Sequence, residues 1–189
     1  MKFIIVGLGN PGEEYINTRH NAGRLAVEAF DEEKEFGGFV VDSKTKSDLS
    51  KGEIGKHKVS LLLPNTFMNK SGTSVKDAKN VIVVYDDIDL PFGSIRLAYG
   101  RGSGGHKGVE SIIKALKTKD FVRVRIGVAP TTPTGKIKKP SGDKKVYDFL
   151  LGDFSKKETE QLNEVFKTTT KALESVIVDG KEKAMNLFN

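Results

Sequence analysis

Val81-Ile82-Val83-Val84-Tyr85, running directly into Asp86-Asp87, decides how the chain is read. Four of its five residues are β-branched and none is charged, so neither face of the run suits water. That fits a strand covered on both sides, as in a parallel sheet with helices over each face. Lys2–Leu8 (KFIIVGL) has the same character and ends at glycines, while Val122–Val128 alternates Val with Arg. Ser94–Ala98, Lys58–Leu63, Phe39–Val41, Glu53–Gly55 and Val146–Leu151 complete the predicted strands. Helical spacing recurs at Ala22, Leu25, Ala26, Ala29 and Phe30 within Ala22–Phe36, and again in Gly108–Leu116. Thr66–Lys79 is predicted helical, with Gly72 as its weak point. Ser155-x-x-Glu158 is a capping box that opens a helix to about Val178, and Gly180 separates a short C-terminal helix. Strands and helices alternate along 1–189, which predicts one α/β domain: a mixed, twisted β-sheet flanked by helices in three layers.

Composition narrows the function classes. A chain of 189 residues buries roughly 70% of the surface its unfolded form exposes. There is no Cys, which removes disulfides, thiolate nucleophiles, iron–sulfur clusters and Cys-based zinc sites and suits a reducing cytoplasm. The longest apolar runs reach about five residues, where a membrane-spanning helix needs roughly 20. No N-terminal segment has the length of a signal peptide, so a soluble, unprocessed protein is expected, with no membrane partner. Net charge is +6, and only six of the 31 cations are Arg. Scattered Lys fits a solvated surface, and it also fits an acidic or nucleic-acid partner.

Several short motifs carry candidate chemistry. Gly7-Leu8-Gly9-Asn10-Pro11-Gly12 spells G-x-G-x-x-G after a strand. A dinucleotide site needs a helix to start there, yet Pro11 removes an N–H and Glu13-Glu14 bring negative charge where phosphates would sit. Gly100–Gly108 (GRGSGGHKG) has His106-Lys107-Gly108 where a P-loop needs Gly-Lys-Ser/Thr; its glycines allow close approach of a ligand, and a plain flexible loop is the other reading. Of the histidines at 20, 57 and 106, none forms a sequence pair suited to a metal. His57, between Lys56 and Lys58, reads as surface. His20 sits between Arg19 and Asn21, just before a helix, and Asp86 directly follows the buried strand. Ends of sheet strands are where α/β proteins place chemistry. One Asp orienting a neutral His makes a base that can activate water, whereas the Asp86, Asp87, Asp89 group also fits a turn. Asn65, Met68 and Asn69 (PNTFMNKSG) put amides on a strand-to-helix connection, where an N–H can donate to an oxyanion.

Taken together, the blocks GLGNPGEEYINTRHNAG, PNTFMNKSG, YDDIDLPFGSIRLAYGRGSGGHKG and FVRVRIGV, in this order, resemble the bacterial-type peptidyl-tRNA hydrolases over essentially the whole chain. The resemblance implies a monomeric enzyme that cleaves the ester between a peptide and the terminal ribose of tRNA, with no cofactor and no metal. By position it implies His20 as general base, Asp86 as the group that fixes its tautomer, and Asn10 and Asn69 as positioning and oxyanion donors. Tyr15, Asn21 and Met68 would shape the site around the peptide and the RNA 3′ end.

Two departures stand out. The family's GGHNG loop reads GGHKG here, so Lys107 replaces an amide. A Lys can donate to an oxyanion or phosphate and its charge would lower the pKa of a nearby imidazole. The family's two-cation clamp on the tRNA 5′-phosphate is matched at Arg125, but its other position reads Ala98, leaving Arg96 and Arg101 as substitutes. The basic segment Lys136–Lys145 is longer than the pattern leads one to expect and serves either phosphate contacts or solvation. Two other readings remain open at this stage: a catalytically inactive RNA-binding relative, kept alive by Lys107, and a nucleotide-binding oxidoreductase built on Gly7–Gly12.

Overall fold

In this computed structural model, which describes residues 1–189, strand β1 (Lys2–Gly7) leads through 3₁₀ turns at Glu13–Tyr15 and Arg19–Asn21 into α1 (Ala22–Glu33). Strands β2 (Val40–Asp42), β3 (Ser47–Ile54) and β4 (His57–Pro64) follow, then a 3₁₀ segment over Met68–Val75. β5 (Val81–Pro91), β6 (Ile95–Tyr99), α2 (Lys107–Leu116) and β7 (Val122–Ala129) precede three helices, α3 (Asp143–Leu150), α4 (Lys156–Val178) and α5 (Lys181–Phe188). The seven strands form one sheet in the order β2-β3-β4-β1-β5-β7-β6. β4, β1, β5 and β7 run parallel, while β2, β3 and β6 join antiparallel, so the sheet is mixed as expected.

The apolar run of β5 lies at the sheet's centre because it is apolar on both faces. Ile82 and Val84 enter the larger core beneath α1 and α4, with Ala26, Phe30, Leu173 and Val176. Val83 and Tyr85 enter a second core beneath α2, with Met68, Val109 and Ile112. Helices therefore cover both faces, giving the three layers. No helix is long and apolar enough to cross a membrane.

Three local expectations change. Val146–Leu151 is not a strand but belongs to α3, because Val146, Phe149 and Leu150 share one face at helical spacing. Thr66–Lys79 is not an α-helix: its helical part is the 3₁₀ segment Met68–Val75. Gly72 is there for close approach, since a Cβ on it would stand 2.2 Å from the Ser111 carbonyl oxygen of α2. Glu53–Gly55 is only the end of β3, whose polar residues are held by pairing with β2 and β4 rather than by burial.

Candidate active site

His20 is placed by backbone contacts on both sides of its short 3₁₀ turn. Thr18 is fully buried and bridges to Asp153, and the Arg19 amide donates to the Gly152 carbonyl at 3.1 Å. The Arg19 guanidinium stacks on Phe149, 4.5 Å from the ring centre, and donates to Glu158 at 2.8 Å. Downstream, the first turn of α1 touches the backbone of β5 at Gly23. Asp86 lies within β5, which runs on to Pro91 rather than ending at Tyr85.

These constraints put His20 Nδ1 3.0 Å from both Asp86 carboxylate oxygens, with Asp86 only 2% exposed. Nδ1–H donates to the carboxylate, so Nε2 keeps its lone pair. His106, 86 residues away in sequence, occupies the same carboxylate: its Nε2 lies 3.0 Å from Asp86 Oδ1. Its Nδ1 accepts the Val109 amide at 3.3 Å as the N-cap of α2, which assigns its proton to Nε2. Burial alone would lower the His20 pKa, but the charge and hydrogen bond of Asp86 outweigh it and hold it above the ordinary value. Burial would likewise raise Asp86, yet the two imidazoles prevail and hold its carboxyl well below the usual range.

Two histidines that form no pair in the sequence are thus brought together by the fold. His20 Nδ1, the Asp86 carboxylate and His106 Nε2 lie within 4.8 Å of one another, a donor set that zinc-like ions accept. Their arrangement is that of a hydrogen-bonded cluster. Each N···O contact is near 3.0 Å, and the Val109 amide occupies the lone pair that His106 would need free for the Nε2 proton to leave.

A second group adjoins the first through Asn21. The Asn21 side chain pairs with the Asn10 backbone at both ends, at 2.8 and 3.0 Å. Asn10 Oδ1 in turn accepts the Met68 amide at 2.9 Å. Asn10 Nδ2 makes no hydrogen bond within the protein, and neither does the exposed side chain of Asn69, which follows Met68. Met68 is buried against the start of α2: a Cβ on Gly108 would meet Met68 Sδ at 2.5 Å and His106 Cε1 at 3.2 Å. Tyr15 stands edge-on to Phe67, with ring centres 6.5 Å apart. Asn10 and Asn21 also line a smaller hollow of about 400 Å³ with Arg24 and Asp48.

His20 and Asp86 open on a cleft of about 1520 Å³ that also holds Arg96, Arg101, Lys107, Arg125, Lys139 and Lys144. Arg96 sits directly opposite Arg125 in the β6–β7 register, on the same face, whereas Ala98 faces Arg123. Arg125 is oriented by Asp87 at 2.7 Å. The Lys107 ammonium lies 3.3 Å from Glu110. Within Lys136–Lys145, Lys139 pairs with Asp89, and the segment ends in the first turn of α3, a wall of the cleft. The Gly7–Gly12 turn leads into the 3₁₀ turn Glu13–Tyr15, not an α-helix, and so lacks a dinucleotide seat.

Sequence reasoning missed His106 and Arg123. His106 had one usable signal: it stands immediately before a helical run, at the N-cap position. Arg123 had none, because in a Val/Arg alternation every Arg reads as solvent-facing, yet this one is 1% exposed.

Fold and site together define an α/β protein with a histidine held by a carboxylate of an interior strand of a mixed sheet, facing a cleft rich in cations. The family model for peptidyl-tRNA hydrolase matches residues 4–189. The peptidyl-tRNA hydrolase of Syntrophotalea carbinolica is 40% identical over 194 residues, covering 98% of this chain and 96% of its own. That of Carboxydothermus hydrogenoformans is 41% identical, with 99% and 98% covered. Among solved structures, the crystal structure of peptidyl-tRNA hydrolase from Acinetobacter baumannii is 33% identical with a TM-score of 0.84, covering 99% of this chain and 94% of its own. The chain belongs to the peptidyl-tRNA hydrolase family.

Proposed function

We propose the following division of labour for hydrolysis of peptidyl-tRNA, the activity of the family to which the chain belongs. His20 Nε2 takes a proton from a water placed between it and the ester carbonyl. The water oxygen bonds to the carbonyl carbon, and the carbonyl electrons move onto oxygen. The oxyanion is met by the free amide donors Asn10 Nδ2 and Asn69 Nδ2. Collapse breaks the bond to the ribose oxygen, which takes the proton back from the His20 imidazolium and leaves as the tRNA hydroxyl. Asp86 keeps Nδ1 protonated and stabilises the transient imidazolium, and the steps use side chains and water alone.

The observation that carries this reading is the His20–Asp86 bond at 3.0 Å, which leaves one imidazole lone pair at a cleft lined by cations. Tyr15, Asn21 and Met68 shape the wall around Asn10. Arg101, Lys107 and the Arg96–Arg125 pair bind the RNA backbone. Residues 1–189 act as one domain, supported by the single sheet, and as a cytoplasmic monomer, supported by the cysteine-free sequence and the family resemblance.

The test is release of N-acetyl-aminoacyl groups from tRNA, with unblocked aminoacyl-tRNA as control and His20→Ala beside the wild type. Cleavage of the blocked substrate, lowered roughly 10²–10⁴-fold in the variant, is expected. Salt-sensitive tRNA binding without cleavage would instead mark a non-catalytic RNA binder.

A further inference from the structure

Arg123 is a cation with 1% exposure and no carboxylate partner. It lies on β7 with its guanidinium over the Phe121 ring, 4.7 Å from the centroid, and beside Tyr85. Its Nη1 donates to the Gly102 carbonyl and its Nη2 to the Arg101 carbonyl. Two consecutive carbonyls of the Gly-rich loop are therefore turned inward. In a planar trans peptide, the C=O of one residue and the N–H of the next point in opposite directions. With the Arg101 and Gly102 carbonyls facing Arg123, the amides of Gly102 and Ser103 must face away from it.

Gly102, Ser103 and Gly104 line the cleft, and the amide of none of them meets an acceptor in the protein. The neighbouring amides are already engaged: Gly105 N–H donates to Ser103 Oγ at 3.2 Å and His106 N–H to the Ser103 carbonyl at 3.2 Å. Left-handed backbone at Gly104 and Gly105 (φ 62° and 83°) curls the loop into α2, whose N-terminus adds its own positive end. Arg101 and Lys107 flank the loop, and Glu110 is the carboxylate on this rim, holding Lys107 and Ser103 Oγ. Convergent neutral donors over a buried positive charge suit a singly charged oxyanion ligand.

We propose that the Gly102 and Ser103 amides, held outward by Arg123, seat one phosphodiester of the RNA 3′ end: the linkage on the 5′ side of the ribose whose ester is cleaved. This rests on the reading of the cleft as the peptidyl-tRNA site. The position follows from connectivity. The loop runs straight into His106, which shares Asp86 with His20, so the seat and the base belong to the same cleft. Arg123 is a positioning residue here, since it acts through the loop's backbone and not on the substrate.

The experiment compares N-acetyl-aminoacyl-tRNA with its natural last linkage against the same substrate carrying an uncharged methylphosphonate there. For the wild type, kcat/KM should fall about tenfold or more on neutralisation, mostly through KM. Ser103→Pro removes one of the amides, and Arg123→Met releases both carbonyls. In each, the ratio between the two substrates should shrink to within about twofold. Reading a ratio inside each variant keeps a general loss of activity from counting as support. Equal cleavage of both substrates by the wild type overturns the seat without recourse to any variant. So does a ratio that survives in both variants. Cleavage of neither substrate by the wild type would overturn the catalytic reading on which the seat rests.

Discussion

Gly23 lies so close to Val84 that a Cβ added to it would stand 2.2 Å from the Val84 carbonyl oxygen and 2.8 Å from its carbon. That contact sets the separation between the first turn of α1 and β5. His20 precedes Gly23 by three residues and Asp86 follows Val84 by two, so the His20–Asp86 pair inherits the spacing. The neighbouring atoms are backbone in the middle of a sheet and cannot give way cheaply.

Gly23→Ala should therefore overpack this junction, costing roughly 1–3 kcal/mol. A fall in Tm of about 2–12 °C is expected for a chain of this size. Hydrolysis of the blocked substrate should drop at least tenfold, because His20 moves relative to Asp86. A variant with wild-type Tm and rate would show that the junction does not set the pair.

The pH profile should carry the His20–Asp86 bond with opposite signs in rate and stability. With His20 as the proposed base, kcat/KM should fall as pH drops through its pKa, which Asp86 holds above the ordinary imidazole value. Asp86→Asn leaves burial without its counterweight, so the acid limb should move below that of wild type while the maximal rate falls roughly 10²–10⁴-fold. A raised folded pKa means the pair's stabilisation is complete below the unfolded value and disappears as pH rises through the folded one. Wild-type Tm should therefore decline relative to Asp86→Asn as pH rises through the wild-type kinetic limb. Coincident acid limbs in the two proteins would contradict the assignment.

Lys107 is exposed and turned to Glu110, whereas the forces acting on His20 are burial and Asp86. Lys107→Asn should accordingly raise KM for tRNA substrates a few-fold and reduce the salt slope of binding by about one. The acid limb should stay in place. A shifted limb with unchanged KM would place the ammonium's effect on the base instead.

Arg19 joins the His20 turn to α4 and to the segment after α3. Its side chain is 13% exposed, bonded to Glu158 and stacked on Phe149. Arg19→Ala should cost roughly 2–3 kcal/mol, because Glu158 and the Gly152 carbonyl lose a charged donor in a half-buried setting. Thermal unfolding would show a drop of about 4–12 °C. An unchanged Tm would reduce the contact to surface decoration.

Much of this was readable in advance wherever the physics is local. The capping box Ser155–Glu158 forms both of its reciprocal bonds, and the helix it opens runs to Val178, because capping needs only residues three apart. His20, Asp86, Asn10 and Asn21 were legible as strand-end and loop polar residues in motifs that resemble a known family. Lys107 was legible as a departure from that pattern. Val146–Leu151 misled because a short run of apolar residues broken only by Asp148 fits either period, and only packing over the cleft selects the helix.

By itself, then, the sequence determined the central strand, the alternation of strands and helices, and the list of polar groups available for chemistry. Tertiary structure alone decided that His20 and His106 share one carboxylate and that Arg96 stands opposite Arg125. It also decided that Arg123 points inward to turn the loop's amides out. Apolar periodicity reports which face of one element avoids water. Contacts between residues far apart in sequence depend on how the layers dock, and that is set by close approaches such as Gly23 on Val84 that leave no mark in any single segment.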